Sequence, residues 1–286
     1  MAADVPEARD PRAASLRAWE EAASGWIRRQ DVVREFGAPV STWMIDAIVP
    51  QPGHRVLELA AGLGETGLLA AELVAPIGGV IVSDQAEAML LGARERAEAL
   101  GLTNVEFQVL NAEWIYLPVA SVDAVLCRWG YMLMSDPQTA LGETRRVLRP
   151  GGRVALAVWD AAEHNPWAAL PAAELRRRQL LDAPAPNAPG PFALGEHGRV
   201  RELLEGAGFS EVRVDALELR RRHASFDEMW EATLDLSRIF HDAVMARPAD
   251  ELEQIRASLA DRFARFASPD GSLDIPARTL VASATA

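Results

Sequence analysis

Gly62-Leu63-Gly64-Glu65-Thr66-Gly67 spaces three glycines as G-x-G-x-x-G, directly after the apolar run Val56-Leu57-Glu58-Leu59. Glycines so placed let the backbone pass close to a ligand, and the helix they open aims its free N–H groups at that ligand. Asp84 closes the next apolar run, 79–83, where a carboxylate can accept from both hydroxyls of a ribose. Together they point to a nucleoside-bearing cofactor. The glycine loop alone does not choose among such cofactors, but Glu58 does. A dinucleotide brings a pyrophosphate to the helix N-terminus, usually after an uninterrupted apolar strand. An acid four residues before Gly62 fits poorly beside a pyrophosphate and suits a ligand that carries an ammonium group.

The elements that must hold these residues follow from periodicity. Apolar residues at three- and four-residue spacing predict an amphipathic helix over about 12–33, and a second helix over 40–48 is stopped by Pro50 and Pro52. Strands at 55–59, 80–83, 105–110, 122–127 and 153–159 alternate with helices at 65–75, 86–100 and 137–148. That alternation predicts a parallel sheet covered by helices on both faces. Beyond it come a helix at 165–181, a loop at 182–194 with Pro184, Pro186, Pro189 and Pro191, and a helix at 200–207. A strand at 211–219, helices at 225–247 and 249–266, and a last strand at 278–283 complete the reading.

Four blocks carry a family likeness: VLELAAGLGETG from Val56, VIVSDQAEAML from Val80, SVDAVLCRWGYMLMSDP from Ser121, and RVLRPGGRVALAVW from Arg146. In these blocks the sequence resembles class I S-adenosylmethionine-dependent methyltransferases, particularly the quinone-biosynthesis and small-molecule branch. The resemblance implies a Rossmann-like, doubly wound α/β fold whose seven-stranded sheet is mostly parallel, with the last strand antiparallel between strands five and six. It divides the chain into an N-terminal helical lid (1–52), a cofactor-binding core (53–160), the remainder of the core with the Pro-rich loop (161–224), a helical cap (225–268) and the final strand of the core (269–286). The implied cofactor is S-adenosylmethionine. Ala60, Gly62 and Gly64 would lie against its methionine part and Glu58 would orient the site. Asp84 would take the ribose, with Gln85 and Met89 flanking the adenine. Asn111-Ala112-Glu113 stands where the family usually shows Asp-Ala-Glu, and Asn111 can accept from the adenine amino group through its amide oxygen. Arg128 follows strand four, where the family's backbone carbonyl meets the methionine ammonium.

Methyl transfer to an acceptor that must lose a proton calls for a base. Of the five histidines, His54 precedes the first strand at the wrong end of the sheet, and His197 starts a helix after the Pro-rich loop. His164, just past strand five, ranks first and His241, in the cap, second; His223 ends strand six. Trp26, Trp43, Trp129, Tyr131 and Trp159 are expected to wall an apolar pocket, which favours an apolar or aromatic acceptor over a sugar or peptide. The arginine triplets 176–178 and 220–222 are expected on solvated faces.

Composition narrows the classes. A net charge of −12 over 286 residues argues against a nucleic-acid partner. All 29 basic residues are arginine, which excludes a lysine base or Schiff base. No apolar run is long enough to cross a membrane. The acidic, polar start does not resemble a signal peptide, and the single Cys127 is compatible with the cytoplasm. No metal is expected, and a homodimer is left open. The expected activity is methyl transfer to oxygen, carbon or nitrogen of a small molecule. The alternatives are a non-methylating binder of the same cofactor and a nicotinamide oxidoreductase.

Overall fold

Strands buried on both faces need apolar residues without alternation, and such runs build the centre of the sheet. The strands are β1 (Arg55–Glu58), β2 (Gly79–Asp84), β3 (Val105–Val109), β4 (Val122–Arg128), β5 (Leu148–Trp159), β6 (Ser210–His223) and β7 (Leu273–Thr285). They lie in the order β3-β2-β1-β4-β5-β7-β6; the first five are parallel, and β7 runs antiparallel between β5 and β6. The strand order reverses between β1 and β4, so a crevice opens beyond the carboxyl ends of those two strands. The structure is a computed structural model that describes residues 11–185 and 188–286. The first ten residues of the expected lid, and Pro186 of the Pro-rich loop, lie outside the described residues.

Ten α-helices flank the sheet among the described residues. They are α1 (Pro11–Arg28), α2 (Gln30–Ile48), α3 (Glu65–Val74), α4 (Glu87–Ala99), α5 (Pro137–Val147), α6 (Pro166–Arg177), α7 (His197–Gly206), α8 (Phe226–Leu236), α9 (Arg238–Met245) and α10 (Ala249–Phe263). None is long and apolar enough to cross a membrane. The first two differ from expectation: the break falls at Arg29, and α2 continues through Pro39. Val33, Gly37, Val40, Met44 and Ile48 form one buried stripe across that proline, so packing outweighs the hydrogen bond that Pro39 cannot make. The helix expected over 225–247 is two helices. Ser237, in extended conformation, ends α8 and caps α9 by accepting from the Phe240 amide.

The β6–β7 pairing is longer than expected. β7 leaves β5 at Thr279 but stays paired with β6 as far as Leu273 and His223. This ribbon projects past the carboxyl ends of the parallel strands. A second apolar core gathers on it, with Leu175 of α6, Met229 and Trp230 of α8, Phe240 of α9, and Ile255 and Phe263 of α10 against Leu273 and Ile275.

Tyr131, expected in the acceptor pocket, belongs instead to the main core. It is 1% exposed, and its hydroxyl meets Thr144 Oγ1 at 2.6 Å, while Thr144 donates to the Ala140 carbonyl. The short turn after Gly130 swings the ring back toward α5. Tyr131→Phe is expected to cost about 0.5–1.5 kcal/mol of stability by removing a buried hydrogen bond. Urea denaturation measures this, and S-adenosylhomocysteine affinity should stay at the wild-type value.

Candidate active site

At the end of β1 and β2 the backbone is cross-tied. Asp84 accepts from the Gly62 and Ala86 amides, each at 2.9 Å. Ala61 donates to the Ser83 carbonyl, and the Ser83 hydroxyl donates to the Glu58 carbonyl. Gly62 holds φ +55°, which a side chain rarely adopts, and Ala60 holds φ +48° despite its Cβ. Asp84 is 7% exposed, and burial raises its pKa. With two of roughly four lone-pair positions taken by amides, its carboxylate can still accept from a diol.

Glu58 is 2% exposed, and burial pushes its carboxyl up to about 8 despite the charge of Arg128. Arg128 pairs with Glu65 at 2.7 Å in the first turn of α3, and Arg96 lies 3.9 Å from the same carboxylate. Glu58 Oε2, Glu65 Oε1, Arg96 Nη1 and Arg128 Nη1 are all buried without a hydrogen-bond partner among the described residues. Orphaned buried polar atoms are costly unless a ligand completes them. A patch with acceptors and donors fits a group that carries both an ammonium and a carboxylate. α2 lies directly on it, since a Cβ at Gly37 would fall 1.7 Å from Arg128 Nη1.

Helix α1 covers the adjoining Asp84–Met89 segment. Glu20 accepts from the Glu87 and Ala88 amides and so caps α4 from outside, and Gln85 donates to Ser15. Met89 is buried with Ala86 and Leu63, and Trp19 and Trp26 of α1 pack against them. Trp26 therefore stands on the Asp84 side of the crevice and donates to the Leu236 carbonyl of α8. Asn111 accepts the Glu113 amide through Oδ1, and Ala112 is buried. Glu113 receives Arg12 of α1 at 2.6 Å and the Asp136 amide at 3.0 Å.

Beyond β4 and β5 the structure brings Trp129 and Trp159 together, stacked at 4.3 Å. Trp129 holds φ +60°, fixed by its amide on the Ala157 carbonyl and its indole N–H on Thr279. Phe36 stacks on both rings and Trp167 meets Trp159 edge-on at 5.0 Å. Trp43 is absent from this wall. It contacts Arg213, whose β7 partner Ser283 lies four residues from the Thr279 level of Trp159, about 13 Å by strand rise. As α2 runs along the sheet, only its first half reaches the crevice, and Phe36 is the residue there.

The 220–222 triplet is split by strand alternation. Arg220 and Arg222 face out onto Asp274. Arg221 faces in, with its guanidinium over the rings of Trp167 at 4.4 Å and Phe36 at 5.3 Å. The expected solvated face is thus wrong for Arg221, because β6 continues to His223. Two cation–π contacts contribute about 0.5–2 kcal/mol each, less than the several kcal/mol that desolvating an ion costs. His223, two residues on, is 5% exposed and its Nδ1 has no partner among the described residues. His164 is half-buried in the turn after β5. His241 faces a charged outer groove between α1 and α8–α9 and meets Asp242 at 3.1 Å. No hydrogen bond joins the two histidines among the described residues. Phe36, Glu65 and Arg221 escaped sequence reasoning; the alternation Leu217, Leu219, Arg221, His223 was the signal for the last.

The fold is Rossmann-like α/β, with buried, unpartnered polar atoms gathered at the crevice where the strand order reverses. The Methyltransferase domain family model matches residues 50–189. Nocamycin O-methyltransferase of Saccharothrix syringae is 32% identical over 200 residues, covering 65% of this chain and 70% of that protein. The ubiquinone/menaquinone biosynthesis C-methyltransferase UbiE of Pseudoalteromonas translucida is 35% identical over 114 residues, 40% of this chain and 45% of UbiE. Among solved structures, the YcgJ protein of Bacillus subtilis superposes with a TM-score of 0.56 at 23% identity, covering 86% of this chain and 97% of that one. The chain belongs to the methyltransferase family and is an S-adenosylmethionine-dependent methyltransferase. A nicotinamide oxidoreductase is thereby set aside.

Glu58 gives this site a pH signature. Its unfolded carboxyl ionises near 4.5 and its folded one near 8, so between those values the native state holds the extra proton and stability falls as pH rises. Relative to Glu58→Gln, wild-type unfolding free energy should fall by about 1.4 kcal/mol per pH unit through that window. Denaturation across a pH series measures the difference, and a flat one would contradict a neutral buried Glu58.

Proposed function

We propose that this methyltransferase acts on a small, planar, aromatic or conjugated acceptor, of the kind found in quinone biosynthesis and secondary metabolism. The stacked Trp129–Trp159 wall at the crevice carries this reading. The names of the nocamycin and UbiE relatives support it. Bound S-adenosylmethionine supplies a methyl group on a sulfonium. In our reading Asp84 holds the ribose diol, while Gln85 and Met89, with Trp26 over them, enclose the adenine. Asn111 and Ala112 border it, and Glu113 ties that loop to α1. Ala60, Gly62 and Gly64 give the methionine part close backbone approach, Glu65 and Arg128 answer its charges, and Glu58 offers a buried hydrogen-bonding group. The α1–α2 pair acts as a lid that excludes water.

Since the donor arrives activated, the chain contributes alignment first. Holding reactants in line is worth up to ~7–11 kcal/mol by effective-molarity arguments. The faces of Trp129 and Trp159 fix the acceptor's plane and favour a neighbouring cation. His164 and His241 remain proposals as bases. His164 stands nearer the carboxyl end of β5, and His241 requires the cap to bring its groove inward.

Two measurements test the reading. Asp84→Ala should weaken S-adenosylhomocysteine binding by roughly 10–100-fold, a total of about 1.5–3 kcal/mol, as for hydrogen bonding to a charged group. Asp84→Asn, which keeps an acceptor for the Gly62 amide, separates ribose binding from loop collapse; unchanged calorimetric affinity in both variants removes Asp84 from the ribose role. Trp159→Ala should lower kcat/KM for planar acceptors by about 10-fold, on the order of 1.4 kcal/mol, with cofactor affinity kept. Equal turnover of sugars or peptides by the wild type would defeat the aromatic-acceptor assignment.

A further inference from the structure

We propose that the acceptor binds as an anion, its carboxylate or enolate oxygen on the Arg221 guanidinium and its conjugated plane against Trp129 and Trp159. This rests on the aromatic-acceptor reading above and names the charge that the acceptor must carry.

Three observations converge on Arg221. Its guanidinium is flanked by Trp167 and Phe36, two members of the same aromatic wall. Among the described residues it has neither an ion pair nor a hydrogen bond. Its neighbours on the strand share Asp274, and the arginines beside the glycine loop, Arg128 and Arg96, share Glu65. The side chain nonetheless keeps partial solvent access, so a ligand can reach it. In a chain with 41 acidic residues against 29 arginines, an inward guanidinium without a carboxylate leaves a place for one.

His223 supplies the second polar group. It lies on the same strand face as Arg221, buried, with Nδ1 unpartnered. Burial, reinforced by the charge of Arg221, pulls its pKa down to about 4, so at neutral pH it offers an uncharged ring nitrogen. Burial also lowers Arg221, to about 10, which leaves it charged under the same conditions. A planar guanidinium presents its donors as a fork that matches a carboxylate or a conjugated enolate, whereas a sugar hydroxyl or an ammonium gains little from it. Trp167 and Phe36, which also contact Trp159, lie against the guanidinium and restrict where it can point.

The test uses the full chain loaded with S-adenosylhomocysteine and two matched probe pairs, followed by calorimetry. The pairs are 1-naphthoate with 1-naphthamide, and 2-hydroxy-1,4-naphthoquinone with 1,4-naphthoquinone. Wild type should bind at least one anion 10-fold or more tighter than its neutral partner, and the pair that discriminates identifies carboxylate or enolate. Arg221→Gln should erase that preference while leaving S-adenosylhomocysteine and the neutral probe within twofold, and Arg221→Lys should keep part of it. Equal binding of anion and neutral partner by the wild type, no anion binding at all, or a preference that survives Arg221→Gln overturns the proposal. Should Arg221→Gln fail to fold, the wild-type comparison alone decides. Failure of the wild type to bind S-adenosylhomocysteine is a different result, and it removes the cofactor site beneath this inference.

Discussion

The bond from the Gly62 amide to the Asp84 carboxylate joins the loops that leave β1 and β2, and the crevice takes its shape from it. A parallel sheet buried on both faces cannot accommodate polar side chains within its strands without orphaning them. Polar chemistry is therefore displaced to the strand ends, where loops must be held without regular structure. Here the tie at Asp84 is doubled by Ala61 on Ser83 and by Ser83 on the Glu58 carbonyl. On the β4 side, a Cβ at Gly130 would fall 2.6 Å from Ala60 Cβ, so the two loops abut. The left-handed residues Ala60 and Trp129 stand on either side of that contact. Backbone strain of this kind persists only where its surroundings over-determine it, and these hydrogen bonds do so.

The N-terminal helices depend on that frame in turn. α1 bridges two bodies: Glu20 caps α4 beside Asp84, while Arg28 and Arg29 reach Asp235 of α8 and Arg238 of α9 reaches back to Glu21. Exposed ion pairs contribute about 0–1 kcal/mol each, so this polar seam adds little net stability. Apolar burial of Trp26, Ala22 and Ala23 on Met89 and Leu63 carries more of the attachment. In the lid reading proposed above, a cover held by one small apolar cluster and a charged seam opens more cheaply than the sheet beneath it unfolds.

How much of this was legible beforehand divides along a physical line. The glycine loop, Asp84 and the five parallel strands were readable because each is dictated locally, by φ, by a turn or by an unbroken apolar run. The antiparallel position of β7 came from family likeness rather than from periodicity. The misses are places where tertiary packing overrode a local rule. The second helix is expected only from Val40, but the stripe from Val33 to Ile48 carries α2 through Pro39. The run 225–247 reads as one helix, yet Ser237 breaks it so that Trp230 and Phe240 can meet edge-on at 5.4 Å. The triplet Arg220–Arg222 reads as a solvated face, and pairing with 273–276 extends the strand so that the alternation Leu217, Leu219, Arg221, His223 turns Arg221 inward. Trp43 and Tyr131 were assigned by residue type; the direction of α2 and of the turn after Gly130 decided otherwise.

Charge inside the crevice limits what chemistry it can favour. Arg128 and Arg96 share Glu65, Glu58 near pH 7 is mostly protonated, and Arg221 faces the aromatic wall with no acid partner among the described residues. A cationic donor brought close to it would be disfavoured in a low-dielectric site unless an anion lay between them. A guanidinium bound to the reacting oxygen itself would lower that oxygen's nucleophilicity. Its useful contribution is therefore to capture and orient the acceptor, through an oxygen of the same conjugated system rather than through the attacking lone pair. The arrangement places positive charge where it holds the acceptor's plane and leaves alignment, rather than proton abstraction, as the larger part of what the protein supplies.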